Sequence, residues 1–376
     1  MRGAAAGRVP GLFPGNPQVV SMAQQTMRKI PVLLMVSGGS DSTALLELAV
    51  RYVHGTGTVM FKLDEAQQAK DRLVRMLSRS LVPAQRCDLH VLHVNHQLRG
   101  ADADDDEEFV VSQCRNLGVP CEVRRVNIAA LAAKGRGGIE AVAREQRYRL
   151  AGEVLDGICD SAGVDRSLGL ICTAHTLDDR IETFYMRSLV GTGPGGLGSI
   201  PRRRGRLRRP LLDATREELR AYLRSCHPTE PDYALWRDDA TNDDGSNFRS
   251  RIRHELMPVL RELRPGFEVP LARTMDLIAS EDAEASRAVE ANVRKNLSRV
   301  GDELRFPTGA LAELPRPYAR RVIRRVLLEV NPDARLESAQ IERIVRGLAT
   351  PRFSTEVSGG IRIRIAGGFL CCSRAQ

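Results

Sequence analysis

Short apolar runs alternate with amphipathic stretches through the first two thirds of the chain. Val32 to Val36, Leu89 to Val94, Val119 to Val126 and Leu168 to Ala174 predict buried strands. Between them, Thr43 to Val53, Asp105 to Leu117 and Glu140 to Leu155 have helical patterns. This alternation predicts an α/β fold, a parallel sheet with helices on both faces, which takes its ligands beyond the carboxyl ends of the strands. Gly55 to Arg86 lengthens the first crossover and predicts a partly helical surface insertion. From about Asp213 the pattern is mainly helical, with Glu217 to Leu223, Asn247 to Leu263, Ala272 to Leu297 and Pro317 to Val330 as the expected helices. A short Gly-rich β end, Ser358 to Arg364, follows.

Composition narrows the class. The 376 residues are 42% hydrophobic but only 4% aromatic, so the core rests on aliphatic side chains. No apolar run approaches the roughly 20 residues needed to cross a bilayer, and no membrane partner is expected. The net charge of +9, nearly all of it from arginine, favours a polyanion such as nucleic acid, although a bias toward Arg and Ala would give the same total. Eight scattered cysteines form no C-x-x-C pair and predict free thiols in a reducing compartment. The first acidic residue is Asp41. Residues 1–29 predict either a disordered extension or a transit peptide. The second case implies a mitochondrion or plastid; a bacterial chain would be cytoplasmic.

Strand Val32–Val36 runs into Ser37-Gly38-Gly39-Ser40-Asp41-Ser42, and a helix follows. The glycines let the backbone approach an anion, the serines add hydroxyls, and the helix start adds partial positive charge. No lysine follows the glycines, so this is not a Walker loop. A plain strand-to-helix turn is the bland alternative. Further on, Asp178, Asp179 and Glu182 sit at a helix start after the fourth strand, spaced to share one face. Three carboxylates there need a cation, for which Mg²⁺ or a substrate ammonium would serve. Gly191 to Gly196 satisfies G-x-G-x-x-G but follows a helix, so it predicts a mobile loop and not a dinucleotide site. Arg202, Arg203, Arg204, Arg206, Arg208 and Arg209 form the densest basic run, suited to a phosphate backbone or to a solvated loop. The acidic stretch Asp102 to Glu108 predicts the start of a solvated helix.

The Ser37–Ser42 loop resembles the PP-loop of N-type ATP pyrophosphatases. His93 to Gly100, Ala143 to Tyr148, Ala174 to Thr183, Gly191 to Pro201, Arg209 to Leu212 and Arg251 to Leu256 narrow the likeness to the tRNA(Ile)-lysidine synthases. The resemblance implies a PP-loop (adenine nucleotide alpha hydrolase-like) catalytic domain over 30–258 with an insertion at about 55–86. It also implies a helical C-terminal domain with a short β end over 259–376. It implies ATP and Mg²⁺ as cofactors, with Ser37, Gly38, Gly39, Ser40, Asp41 and Ser42 on the nucleotide. Asp41, Asp178 and Asp179 would hold the metal, and Asp41, His175, Asp178, Asp179, Glu182 and Arg209 would form the catalytic set. Arg99, Arg144, Arg147, Arg251, Arg253 and His254 are the candidate RNA contacts. The implied reaction adenylates the wobble cytidine of tRNA(Ile) with a CAU anticodon, and L-lysine then displaces AMP to give lysidine. A homodimer is compatible with this reading.

Gln97 stands where the family has Gly and Ser250 where it has Asn. No second C-terminal domain like that of longer members is expected. The rivals are a tRNA-thiolating enzyme with the same loop, disfavoured by the absence of paired cysteines, and a basic RNA-binding protein without catalysis.

Overall fold

The computed structural model describes residues 28–55, 65–134, 138–237, 247–350 and 352–375. The expectation for the N-terminal extension lies outside these residues except at 28 and 29.

The chain divides into two compact units, one formed by 1–190 with 199–272 and the other by 191–198 with 273–376. The first unit holds a six-stranded sheet ordered β3-β2-β1-β4-β6-β5. Its strands are β1 (Ile30–Met35), β2 (Cys87–Asn95), β3 (Cys121–Arg125), β4 (Leu170–Cys172), β5 (Arg203–Arg204) and β6 (Leu207–Arg208). All neighbours are parallel except the β5–β6 pair. Every residue of β1 is buried because helices cover both faces. Val32 and Leu34 join the core beneath α1 (Ser40–His54), whereas Leu33 packs with Leu155 of the long helix Ile139–Ala162. The expected strand at 119–126 is an edge strand, and most of its side chains are exposed.

The chain runs from β1 outward through β2 to β3, then returns to place β4 on the other side of β1. The crevice of such a sheet opens where strand order reverses, between the carboxyl ends of β1 and β4. The loop after β1 is Ser37–Ser42, and the segment after β4 leads to α2 (Leu177–Val190) and its acids. Topology alone therefore brings the two motifs together.

The inserted stretch differs from expectation. Residues 56–64 lie outside the described part, but Glu65–Ser78 is a helix that buries Leu73, Met76 and Leu77 in the main core. That inner face makes the insertion structural. Its apolar residues recur at helical spacing, and they pack with Leu219 and Leu223 of α3 (Arg216–Cys226).

The second unit contains much more sheet than the sequence suggested. Five antiparallel strands, β7 (Ser298–Val300), β8 (Glu303–Pro307), β9 (Ser354–Val357), β10 (Ile361–Ala366) and β11 (Phe369–Arg374), lie in the order β7-β8-β11-β10-β9, and only the segment around β10 was legible as β. Ile361 and Ile363 point into a core with Phe306, Ile323, Val326 and Leu370, while Arg362 and Arg364 face solvent. Gly191–Gly198 belongs to this unit and forms a helical turn at Pro194–Leu197, not the expected loop. A Cβ on Gly198 would stand 3.1 Å from the Ala279 Cβ, so glycine permits that close approach.

Candidate active site

The phosphate loop is built from its own backbone and hydroxyls. Gly38 has φ +94°, which a side chain would resist. Ser37 N–H donates to Ser42 Oγ at 3.2 Å, Ser42 Oγ donates to the Gly39 carbonyl at 2.9 Å, and Thr43 Oγ1 donates to the Gly38 carbonyl at 3.2 Å. No side chain at Gly39 caps α1. The loop is also held from outside, because Arg237 N–H donates to the Gly38 carbonyl at 3.0 Å.

At the start of α2, Thr176 and Asp179 cap each other. Asp179 Oδ2 accepts from Thr176 N–H at 2.9 Å, which aims the other carboxylate oxygen away from the helix backbone. Arg249 donates to that Oδ1 at 2.8 Å and to Glu182 Oε2 at 2.8 Å. Arg253 donates to Glu182 Oε1 at 2.7 Å. Asp178 accepts from the Arg216 backbone N–H at 2.7 Å and from Arg261 at 3.0 Å. Finally, Arg216 Nε donates to Asp41 Oδ2 at 3.1 Å, and its Nη2 lies 3.6 Å from Asp179 Oδ1.

The mutual repulsion expected of the acids is therefore relieved by the chain's own guanidinium groups. Asp41, Asp178, Asp179 and Glu182 interleave with Arg216, Arg249, Arg253 and Arg261. Among the described residues, no three Asp, Glu, His or Cys side chains form a ready metal cage. Burial pushes the Asp41 carboxyl up to about 6, against the opposing pull of Arg216. Burial also opposes ionisation of Asp179, but Arg249, Arg216 and the Thr176 N–H together hold it below the ordinary aspartate value. The His175 imidazole is kept neutral by burial, and its Nδ1 is hydrogen-bonded to Thr173 Oγ1 at 2.8 Å.

The remaining sequence candidates scatter. Arg209 is buried; its Nη1 donates to the Pro201 carbonyl at 2.6 Å, and its Nε finds no partner. Arg253, expected on RNA, turns to Glu182, while Arg251 pairs with Glu255 on its own helix. Arg99 pairs with Asp106, Arg144 lies 5.2 Å over the Tyr148 ring, and Arg147 stands 3.4 Å from His96 Nε2. His254 falls in the π-helical turn Ile252–Leu256 that precedes Pro258, whose missing N–H and ring would disrupt a regular α-turn. Within the arginine run, Arg202 pairs with Asp213 and Arg206 with Asp156, so the run is partly spent on folding. The acidic stretch 102–108 is not wholly solvated either. Asp106 is buried between Arg99 and Arg237, and Glu107 accepts from Asn95 and Arg125.

Sequence reasoning missed Arg216 and Arg261. The Thr215–Glu218 capping box marked a helix start at Arg216, but nothing local tied that residue to Asp41.

Gln97 keeps the left-handed backbone that glycine would supply, with φ +53°, and its N–H donates to Asn95 Oδ1 at 2.9 Å. Ser250 is buried, and its N–H donates to the Asn247 cap at 2.8 Å.

Residues 17–260 match the PP-loop domain family. The chain is 32% identical over 320 residues to the tRNA(Ile)-lysidine synthase of Geobacter sulfurreducens, covering 84% of this chain and 58% of that protein. Against the enzyme of the same name from Thermus thermophilus it is 33% identical, covering 91% of this chain and 56% of the relative. For Chlorobaculum tepidum the identity is 32%, covering 79% of this chain and 77% of the relative. The chain thus spans little more than half the length of the first two relatives. A phosphate loop and an acidic helix start joined at the sheet's crevice agree with these matches, and the chain belongs to the tRNA(Ile)-lysidine synthase family of PP-loop proteins.

Proposed function

We propose that the chain is an ATP-consuming, AMP-forming tRNA(Ile)-lysidine synthase. The observation that carries this reading is the placement of Asp41, at the phosphate loop, and Asp179, at the acidic helix, on one guanidinium. A site for nucleotide phosphates thereby adjoins a site for a cationic substrate.

In the first step, the C2 oxygen of the wobble cytidine attacks the α phosphate, the new O–P bond forms, and the bond to the β phosphate breaks. The loop's backbone donors and the positive end of α1 take up charge on the departing diphosphate. Mg²⁺ needs only one or two carboxylates when phosphates complete its shell, and Asp41 fits: Oδ2 takes Arg216, while Oδ1 meets only Ser40 Oγ at 3.4 Å. Asp41 with Asp179 would hold the ion, which when bound would draw charge from the phosphate oxygens. Asp178, committed to the start of α3, fixes that helix in place. In the second step the lysine amine attacks C2 and the C2–O bond to AMP breaks. Asp179 suits the lysine ammonium, Glu182 holds Arg249 and Arg253 beside it, and the neutral His175 next to Asp179 suits acceptance of the amine proton. The target base sits in an anticodon loop, where it can leave the stack.

The test is incubation with ATP, labelled lysine and a tRNA bearing a CAU anticodon. Lysine should become tRNA-linked as AMP and diphosphate appear. Sulfur incorporation instead would favour a thiolase; all eight cysteines are free thiols, six of them buried. Intact ATP with bound tRNA would favour a binding module.

A further inference from the structure

The Ser37–Ser42 loop has an unusual shortage for a polyphosphate site: none of its residues is basic. A nucleoside triphosphate carries several negative charges, and backbone dipoles alone leave much of that unbalanced. The missing cations come from another part of the chain. Arg216 and Arg220 are four residues apart on α3 and therefore share one face. Arg216 Nε lies 3.1 Å from Asp41 Oδ2, and Arg220 Nε lies 3.3 Å from Ser40 Oγ. Both guanidinium groups thus stand at the first turn of α1, beside the loop.

The surroundings hold that face firmly. Thr215 and Glu218 close a capping box at the start of α3, Asp178 accepts the Arg216 N–H, and Leu219 and Leu223 are fully buried. The Arg220 guanidinium lies 5.4 Å over the ring of Trp236, which is buried. The next residue, Arg237, donates its N–H to Gly38 of the loop. One continuous scaffold therefore sets both the loop and the arginine that faces it.

We infer that Arg216 and Arg220 are ligands of the nucleotide's polyphosphate, supplied by α3 in place of the lysine that a Walker loop carries within itself. Arg216 rests on Asp41 and Asp179 in the structure. Polyphosphate oxygens compete for the same planar fork and leave Asp41 available to a cation. This inference rests on the phosphate-loop reading and extends it to residues outside the loop.

The experiment measures equilibrium binding of inorganic diphosphate, ATP and adenosine to the full chain, with Trp236, the sole tryptophan, as a fluorescence reporter. Variants are Arg216→Ala, Arg216→Lys, Arg220→Ala and, as control, Arg224→Ala, which lies on the same helix and pairs with Asp232. Arg216→Ala and Arg220→Ala should each weaken diphosphate and ATP about tenfold or more, the loss of a charged hydrogen bond. Adenosine should stay within about twofold, Arg216→Lys should recover part of the loss, and Arg224→Ala should match the parent. If diphosphate binding is unchanged in both alanine variants, or if adenosine weakens as much as ATP, the inference fails while the loop reading stands. If the parent chain binds adenosine but not diphosphate, the loop reading fails and takes the inference with it.

Discussion

Arg216 and Asp41 are 175 positions apart in sequence, yet Arg216 Nε donates to Asp41 Oδ2 at 3.1 Å. Even with this partner, burial dominates and the carboxyl is pushed up to about 6. The folded chain thus binds this proton more tightly than the unfolded chain, whose aspartate titrates near 3.8. Stability falls as pH rises from about 4 through 6 and stays lower above that range. Asp41→Asn should therefore stabilise the protein by about 1–2 kcal/mol at pH 7.5, with the gain vanishing near pH 4. Turnover should be lost while tRNA binding is largely kept. Chemical denaturation at the two pH values tests the first part, and destabilisation at pH 7.5 would refute it.

The same titration should appear in the reaction. If ionised Asp41 is required, kcat/KM for ATP should fall on the acid side with a midpoint near 6. His175, held neutral by burial, contributes no acid limb in that range. A profile flat down to pH 5 would remove Asp41 from the essential groups.

Glu182 is 1% exposed and takes both Arg249 and Arg253. Removing it would leave two guanidinium groups facing each other without their shared anion. Glu182→Ala should cost about 3 kcal/mol in urea denaturation, as breaking a buried pair does. A cost under about 1 kcal/mol would show that solvent readily takes over from the carboxylate.

Gln97 tests the backbone of the turn after β2. At φ +53° a β-branched side chain is strained, so Gln97→Val should lose about 1–2 kcal/mol. Gln97→Gly should stay within about 1 kcal/mol of the parent, since relief of strain offsets the added freedom of the unfolded chain. Thermal melts of the two variants decide this, and equal stabilities would mean the turn adapts to either residue.

The strands β1, β2 and β4, the helices between them and the phosphate loop were legible because each depends on neighbours a few residues away. Short apolar runs and helical spacing, two glycines after an apolar run, and acidic residues at a helix start are local properties. Apart from the segment around β10, the C-terminal sheet was not legible because most of its strands are short and half-exposed, and only pairing with distant partners makes them strands. In the site, sequence supplied the acids but not their counter-charges. Arg216 and Arg261 look like ordinary exposed helix residues, and Arg253 like an RNA contact, until the reversal of strand order next to β1 brings their helices onto the acidic turn. Local spacing thus determined which chemistry the chain carries. Tertiary structure decided which charges meet, because Coulomb attraction depends on separation in space and not along the chain.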